Sequence, residues 1–170
     1  IAAEVGGARS VPALASALAW LGSGFGGILM GRIADKVGTR STVICGALMI
    51  GLGLTISTFG PRWPLWIGHG LFIGVIGLGG INAPMYIYVS RWFDRRRGSA
   101  LALISSGSYL AGAMWPPLFE RVIAGFGWRQ TMLWYAVAEI VVIVPLAAIY
   151  FRTAPEQILP AASSNSPGSF

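Results

Sequence analysis

The sequence predicts an all-α polytopic membrane helix bundle, and three observations carry that prediction. The 170 residues are 55% hydrophobic and only 11% charged, against roughly 25% charged in soluble domains. Apolar runs of about 18 residues or more recur, each long enough to cross a hydrocarbon core about 30 Å thick. Short polar breaks separate them, and the basic residues are unevenly shared between these breaks. A water-soluble fold of this length would need a polar surface that these residues cannot supply. The net charge of +6 raises nucleic acid as a partner, yet the cations sit in turns between apolar runs rather than along one polar face. Membrane topology accounts for that placement, and no nucleic-acid role is expected. A single cysteine, Cys45, excludes an internal disulfide framework and a multi-cysteine metal site.

Ile1–Ser10 carries no basic segment ahead of an apolar one, so it does not read as a signal peptide, and the chain reads as starting inside something longer. Val11–Met30 is the first predicted span. Its Gly22/Gly26 pair, with Gly27/Gly31 at its end and Gly70/Gly74 further on, has the small-xxx-small spacing that lets helix backbones approach in lipid. Gly31–Arg40 (GRIADKVGTR) reads as a compact polar turn leading to the second span, Thr42–Phe59. Phe59-Gly60-Pro61 ends that span, because proline lacks an amide donor and glycine tolerates the turn. The third span, Leu65–Ser90, holds Gly68, Gly70, Gly74, Gly77, Gly79 and Gly80, smooth faces suited to tight packing or to rocking.

A second basic turn, Arg91–Gly98 (RWFDRRRG), precedes the fourth span, Ser99–Phe119. Gly125-Phe126-Gly127 opens the turn to the fifth, Gln130–Phe151, while Pro84, Pro116-Pro117 and Pro145 predict kinks. Residues 1–152 thus form the bundle, and the Pro-, Ser-, Ala- and Asn-rich residues 153–170 read as a polar flexible cytoplasmic linker. Orientation follows from the loop cations. Arg32, Lys36, Arg40, Arg91, Arg95, Arg96 and Arg97 fall on one side, with Arg152; Arg9, Arg62, Arg121 and Arg129 fall on the other. The basic turns and the C-terminus are expected in the cytoplasm and the N-terminus outside, in a plasma (inner) membrane.

The polar residues inside or beside the spans are the functional candidates. Asp35 stands at a helix–loop junction, where a carboxylate is costly unless paired. It is expected to accept charge-assisted hydrogen bonds from a neighbouring helix end or its amides, and so to act as a gate. Lys36, Arg40 and the basic loop Arg91, Arg95, Arg96 and Arg97 share its side; a solvated loop that only fixes topology is the alternative. Gly31 is expected to permit close helix contact, and Gly38 to occupy a position that a side chain would obstruct. Ser105, Ser108, Tyr109 and Gly112 repeat at helical spacing, a polar stripe for interhelical bonding or cavity lining. Asn82 and Tyr86 share a face of the third span and join them as candidate substrate-cavity residues.

Trp115 reads as an interfacial anchor. His69 lies near the outer end of its span and, at about 100° per residue, points away from Asn82; it reads as structural. Glu139 is the only carboxylate deep within a span, hence a candidate for proton coupling, with pairing or a packing contact as the alternative. No G-x-S-x-G elbow, H-E-x-x-H helix or phosphate-cradling G-x-x-x-x-G-K-(S/T) occurs. Cys45 and His69 fall at opposite ends of neighbouring spans, so no enzyme, metal or cofactor is expected.

Gly31-Arg32-Ile33-Ala34-Asp35-Lys36-Val37-Gly38-Thr39-Arg40 resembles the signature loop between helices two and three of the major facilitator superfamily, G-x-x-x-D-(R/K)-x-G-x-(R/K)-(R/K), with Ser41 at the last basic position. Arg91–Ala100, continuing to Ser106-Gly107-Ser108, is similar to the loop and fifth helix of its monocarboxylate and oxalate/formate branch, Y-F-x-(K/R)-(K/R)-R-x-L-A followed by A-G-S. Here Trp92, Ser99 and Ser106 replace tyrosine, leucine and alanine. Gly127-Trp128-Arg129 is likewise common in these transporters. The resemblance runs from Glu4 to about Glu156. It implies that the five spans are helices two to six of a twelve-helix transporter, whose first helix and second half lie outside this chain. It also implies a cavity-lining third span and a peripheral fifth, and gives His69 a place displaced from a signature arginine.

The implied activity is alternating-access transport of a small organic anion such as a monocarboxylate, with protons as a candidate coupling ion. Another solute, drug efflux included, stays open, as does a five-helix membrane scaffold that transports nothing. In the adjoining reading frame, a helix upstream and about six downstream would favour the transporter; native start and stop codons at these ends would favour the scaffold.

Overall fold

A computed structural model describes residues 10–60, 62–93 and 95–151. Arg9, Pro61, Asp94, Arg152 and the expected linker 153–170 lie outside the described residues. Five long helices follow one another: α1 Ser10–Val37, α2 Thr39–Ser57, α3 Trp63–Trp92, α4 Arg97–Phe126 and α5 Trp128–Tyr150, with no strand among the described residues. Each corresponds to one predicted span, the second and fifth ending one or two residues earlier than expected. Four are long and apolar enough to cross a membrane. The remaining helix, α4, is long enough but falls short in apolarity, because Ser99, Ser105, Ser106, Gly107, Ser108, Gly112 and Pro116-Pro117 dilute its leucine and alanine.

The connections differ most from expectation. Gly31–Val37 is not a polar turn but the last part of α1, and α2 starts at Thr39, so the reversal falls on Gly38 alone. Arg32-Ile33-Ala34-Asp35-Lys36 contains no helix breaker, and the helix stops where φ must turn positive, +88° at Gly38. The Gly38 amide still donates to the Ala34 carbonyl at 2.9 Å, and Thr42 Oγ1 donates to the Gly38 carbonyl at 3.0 Å, closing the corner. Gly127, with φ +81°, makes the same kind of corner between α4 and α5. The second basic turn is also shorter than expected, since α3 runs to Trp92 and α4 starts at Arg97. Pro84, Pro116-Pro117 and Pro145 lie inside helices that continue past them.

Helix α3 is the axis of the bundle: α1 packs along one side and α2 along another, α2 also packs on α5, and α4 touches α3 and α5. Glycine makes both sides of α3 possible. A Cβ on Gly22 of α1 would lie 2.6 Å from the Gly70 carbonyl oxygen, one on Gly74 2.7 Å from that of Ala19, and one on Gly79 2.6 Å from the carbonyl carbon of Gly26. Towards α2, a Cβ on Gly53 would lie 2.7 Å from the Gly68 oxygen, and one on Gly46 3.0 Å from that of Gly77. Backbones meet directly, which in lipid replaces the hydrophobic drive that water would supply. The Gly27/Gly31 pair is a correction: Gly27 faces Ala83 at 3.6 Å, but nothing lies within 4 Å of a Cβ on Gly31.

Gly68–Leu78 of α3 is π-helical, with i→i+5 bonding and a wider turn. Gly70, Gly74 and Gly79 face α1, whereas Gly68, Phe72-Ile73 and Gly77 face α2, a spacing of four to five residues. On a uniform α-helix Gly70, Gly74 and Gly77 would share one stripe; here Gly77 meets Ile50 of α2 while Gly74 meets Ala19 of α1. Counting 100° per residue across this stretch, as for His69 and Asn82, therefore misplaces side chains. Two apolar clusters complete the packing. Val11, Ala15, Leu65 and Trp128 gather at one end, where Trp66 Nε1 donates to the Val11 carbonyl at 3.3 Å, and Ile50, Leu54 and Ala136 gather between α2 and α5. Trp20, Phe25, Leu103 and Leu110 remain exposed, which suits lipid and not water.

Candidate functional site

The C-terminal ends of α1 and α3 come together at the basic end of the bundle. Arg91 Nη2 donates to Asp35 Oδ1 at 3.4 Å. Asp35 is in the last turn of its helix, where unpaired carbonyls already concentrate negative charge, so a carboxylate there is held only against a cation; Arg91 supplies it. The expected partner at a neighbouring helix end is thus a guanidinium rather than amides. Both side chains are more than half exposed, at 60% and 51%, and such a pair contributes at most about 1 kcal/mol in water. It cannot hold α1 to α3, which touch along their length. It can set how their ends stand.

A cleft of about 610 Å³ opens beside the pair, lined among others by Asp35, Gly38, Arg40, Tyr88, Arg91 and Phe151. It brings α1, α2, α3 and the end of α5 to one place. Tyr88 leans on Phe151 with ring centroids 4.9 Å apart and on Trp92 at 6.0 Å. Lys36, like Arg32, is exposed and outside the cleft lining. Gly38 serves by its positive φ, not by avoiding obstruction, since nothing lies within 4 Å of a Cβ there; this corrects the expectation for Gly38, as the same absence does for Gly31. Sequence reasoning missed Tyr88, although it stands one turn before Arg91 on the same helix face.

Of the candidate cavity residues, the structure joins Tyr86 and Ser105. Their hydroxyl oxygens are 3.1 Å apart, and Ser105 Oγ donates to the Leu101 carbonyl at 3.0 Å. A serine hydroxyl has one proton, so Tyr86 is the donor of the pair. This bond links α3 to α4. Asn82 is half-buried outside that contact, while Ser108 and Tyr109 are exposed, Tyr109 at 80%. The polar stripe of α4 faces no described helix beyond Ser105, in keeping with a helix that has no buried residue. Arg95, Arg96 and Arg97 are exposed at the start of α4.

Glu139 stands midway along α5 and is half-buried; its Oε2 is enclosed, with no hydrogen-bond partner among the described residues. One turn earlier Tyr135 sits in a triad of rings with Trp115 at 5.4 Å and Phe119 at 5.0 Å, which fastens α5 to α4. His69 Nδ1 is 3.1 Å from both the Leu65 carbonyl and Ser57 Oγ. Ser57 is fully buried and donates to the Gly53 carbonyl at 2.7 Å. The Nδ1 nitrogen therefore carries the hydrogen and shares it between two acceptors. This contact between α2 and α3 was not foreseen, because the buried Ser57 looks like a span-end serine in the sequence. No group of three metal-ligating side chains occurs among the described residues.

Comparison with known proteins extends the geometry. A family model described as Major Facilitator Superfamily matches residues 1–168. The MFS-type transporter pynF of Aspergillus niger is 29% identical over 154 residues, 83% of this chain and 34% of its own length. The MFS transporter asaE of Aspergillus flavus is 34% identical over 107 residues, 61% of this chain and 24% of its own. Monocarboxylate transporter 13 of Bos taurus is 29% identical over 110 residues, 64% of this chain and 26% of its own. The chain spans about a third or less of the length of these relatives.

Proposed function

This chain belongs to the major facilitator superfamily, an integral membrane family, and from that premise we propose that it forms most of the first half of a secondary transporter that works by alternating access. Its five helices stand for helices two to six, and a first helix and a second half complete the carrier around a midplane site. The substrate is a small organic anion such as a monocarboxylate, with protons as the coupling ion. Similarity to Monocarboxylate transporter 13 and the RWFDRRRG loop support that class. The basic end faces the cytoplasm and the first helix end faces outward, in the plasma membrane, on the bias of loop cations.

The observation that carries this reading is the Asp35–Arg91 pair beside the cleft. A gate must close reversibly, so its contacts must be specific but weak, and an exposed ion pair at 3.4 Å meets both needs. Made, it holds the ends of α1 and α3 in one disposition; broken, it lets that end open. Lys36, Arg40, Arg95, Arg96 and Arg97 hold the surrounding loops at the membrane face. Tyr86 and Ser105 are the substrate-facing hydroxyls of this half, with Asn82, Ser108 and Tyr109 beside them once the second half closes the space. Glu139 carries the proton, since its enclosed oxygen lacks a partner among the described residues.

Uptake of labelled lactate, formate or oxalate into proteoliposomes containing the full-length protein tests the proposal. Uptake above protein-free vesicles, increased by an inward proton gradient, is expected. Fully inserted protein that moves none of the three would overturn the anion assignment. A carrier of another solute, drug efflux included, is the second reading, favoured by the similarity to pynF and asaE; extrusion of a fluorescent apolar cation from the same vesicles would select it.

A further inference from the structure

We propose that the short connection between α3 and α4 binds the headgroup of an anionic phospholipid. Trp92, Phe93, Arg95 and Arg96 line a cleft of about 520 Å³ there. All four are exposed, Trp92 at 48% and Phe93 at 49%. Trp92 ends a span at headgroup depth, where an amphipathic ring is favoured, and Phe93 beside it adds apolar surface. The guanidinium groups that follow present planar donor forks matching phosphate oxygens. Arg91, one turn earlier, is engaged with Asp35 and does not line this cleft.

Two features commit the site to a lipid rather than a free phosphate. The arginines share the cleft with two aromatic rings, and further along the helices Ile87 of α3 and Leu103 of α4 are exposed. A phosphate with acyl chains can use both surfaces; an inorganic anion can use only the cations. The opposite end offers no equivalent: its described cations are Arg62, Arg121 and Arg129, and Arg129 lies 4.9 Å over the Trp128 ring. The site rests on the chain crossing a membrane and not on which solute it carries.

The test is native mass spectrometry of the full-length protein equilibrated with mixed phosphatidylglycerol and phosphatidylcholine micelles. Preferential retention of phosphatidylglycerol is expected. Arg95→Gln with Arg96→Gln should lower that retention roughly thirtyfold, while Arg32→Gln with Lys36→Gln, at the same end but outside the cleft, should lower it far less. If the first double variant fails to insert, Arg95→Lys with Arg96→Lys keeps the charge and should still lower retention severalfold by removing the forks. Equal retention of the two lipids would overturn the proposal, as would an equal loss from Arg32 and Lys36. Displacement of the lipid by millimolar inorganic phosphate would reduce the cleft to a free-anion site, and also overturn it.

Discussion

Asp35 is a carboxylate held at the wrong end of its own helix, and that placement gives it leverage. The carbonyl ends of α1 repel it, Arg91 attracts it, and small changes in the position of α3 alter the balance. Asp35→Asn is expected to slow transport roughly fivefold, the effect of about 1 kcal/mol between two states, with insertion unchanged. The charge exchange Asp35→Arg with Arg91→Asp should recover part of the rate, as counterflow in vesicles would measure. Unaltered transport in Asp35→Asn removes the gate. Glu139 makes a separate claim. If its enclosed carboxyl carries the proton, Glu139→Gln should abolish stimulation by a pH gradient yet leave anion exchange, which needs no net proton movement; a retained response would leave Glu139 as a packing residue only.

Among the helices, α3 has the most exacting contacts. Its glycines meet backbone on two sides, and the π-helical stretch lets successive glycines serve different neighbours. A Cβ on Gly26 of α1 would collide with the Val75 carbonyl, whereas one on Gly24 would meet nothing within 4 Å. Gly26→Ala should therefore cost about 1–3 kcal/mol, as overpacking does, and lower the melting temperature in detergent, while Gly24→Ala should not. Equal melting of both variants would mean that α1 and α3 do not pack through this face. The opposite case is α4, anchored by the Tyr86–Ser105 bond to α3 and, towards α5, by the ring triad and the Phe126–Trp134 contact at 4.8 Å. Its unburied stripe is the surface that a completing half of the carrier would cover.

For the molecule as a whole, the Gly38 corner and the parity of the helices put Asp35, Arg40, Arg91 and Arg95–Arg97 at one end, and the Gly127 corner falls at the other. With Cys45 replaced by serine, a cysteine introduced at Lys36 should react with a membrane-impermeant maleimide only after cells are permeabilised, and one at Arg62 should react in intact cells. The reverse pattern would invert the orientation and detach the basic loops from the cytoplasm. The lipid cleft between α3 and α4 would then face the other leaflet, although its chemistry would be unchanged.

The sequence by itself determined the class and the count of helices. Apolar run length, scarcity of charge and the glycine and proline breaks are local quantities, and the bilayer translates them directly into spans. It also marked Asp35, Tyr86 and Ser105 as separate residues of interest, because polar groups stand out against an apolar background. Only the tertiary structure decided which groups meet. Arg91 as the partner of Asp35, Ser57 as the partner of His69, and Gly77 turned from α1 to α2 depend on how neighbouring helices are rotated. The π-helical stretch breaks the uniform 100° period that a sequence count assumes. The Gly38 corner was blurred for the same reason: a run of good helix formers continues as helix, charged or not, until a residue is required at positive φ.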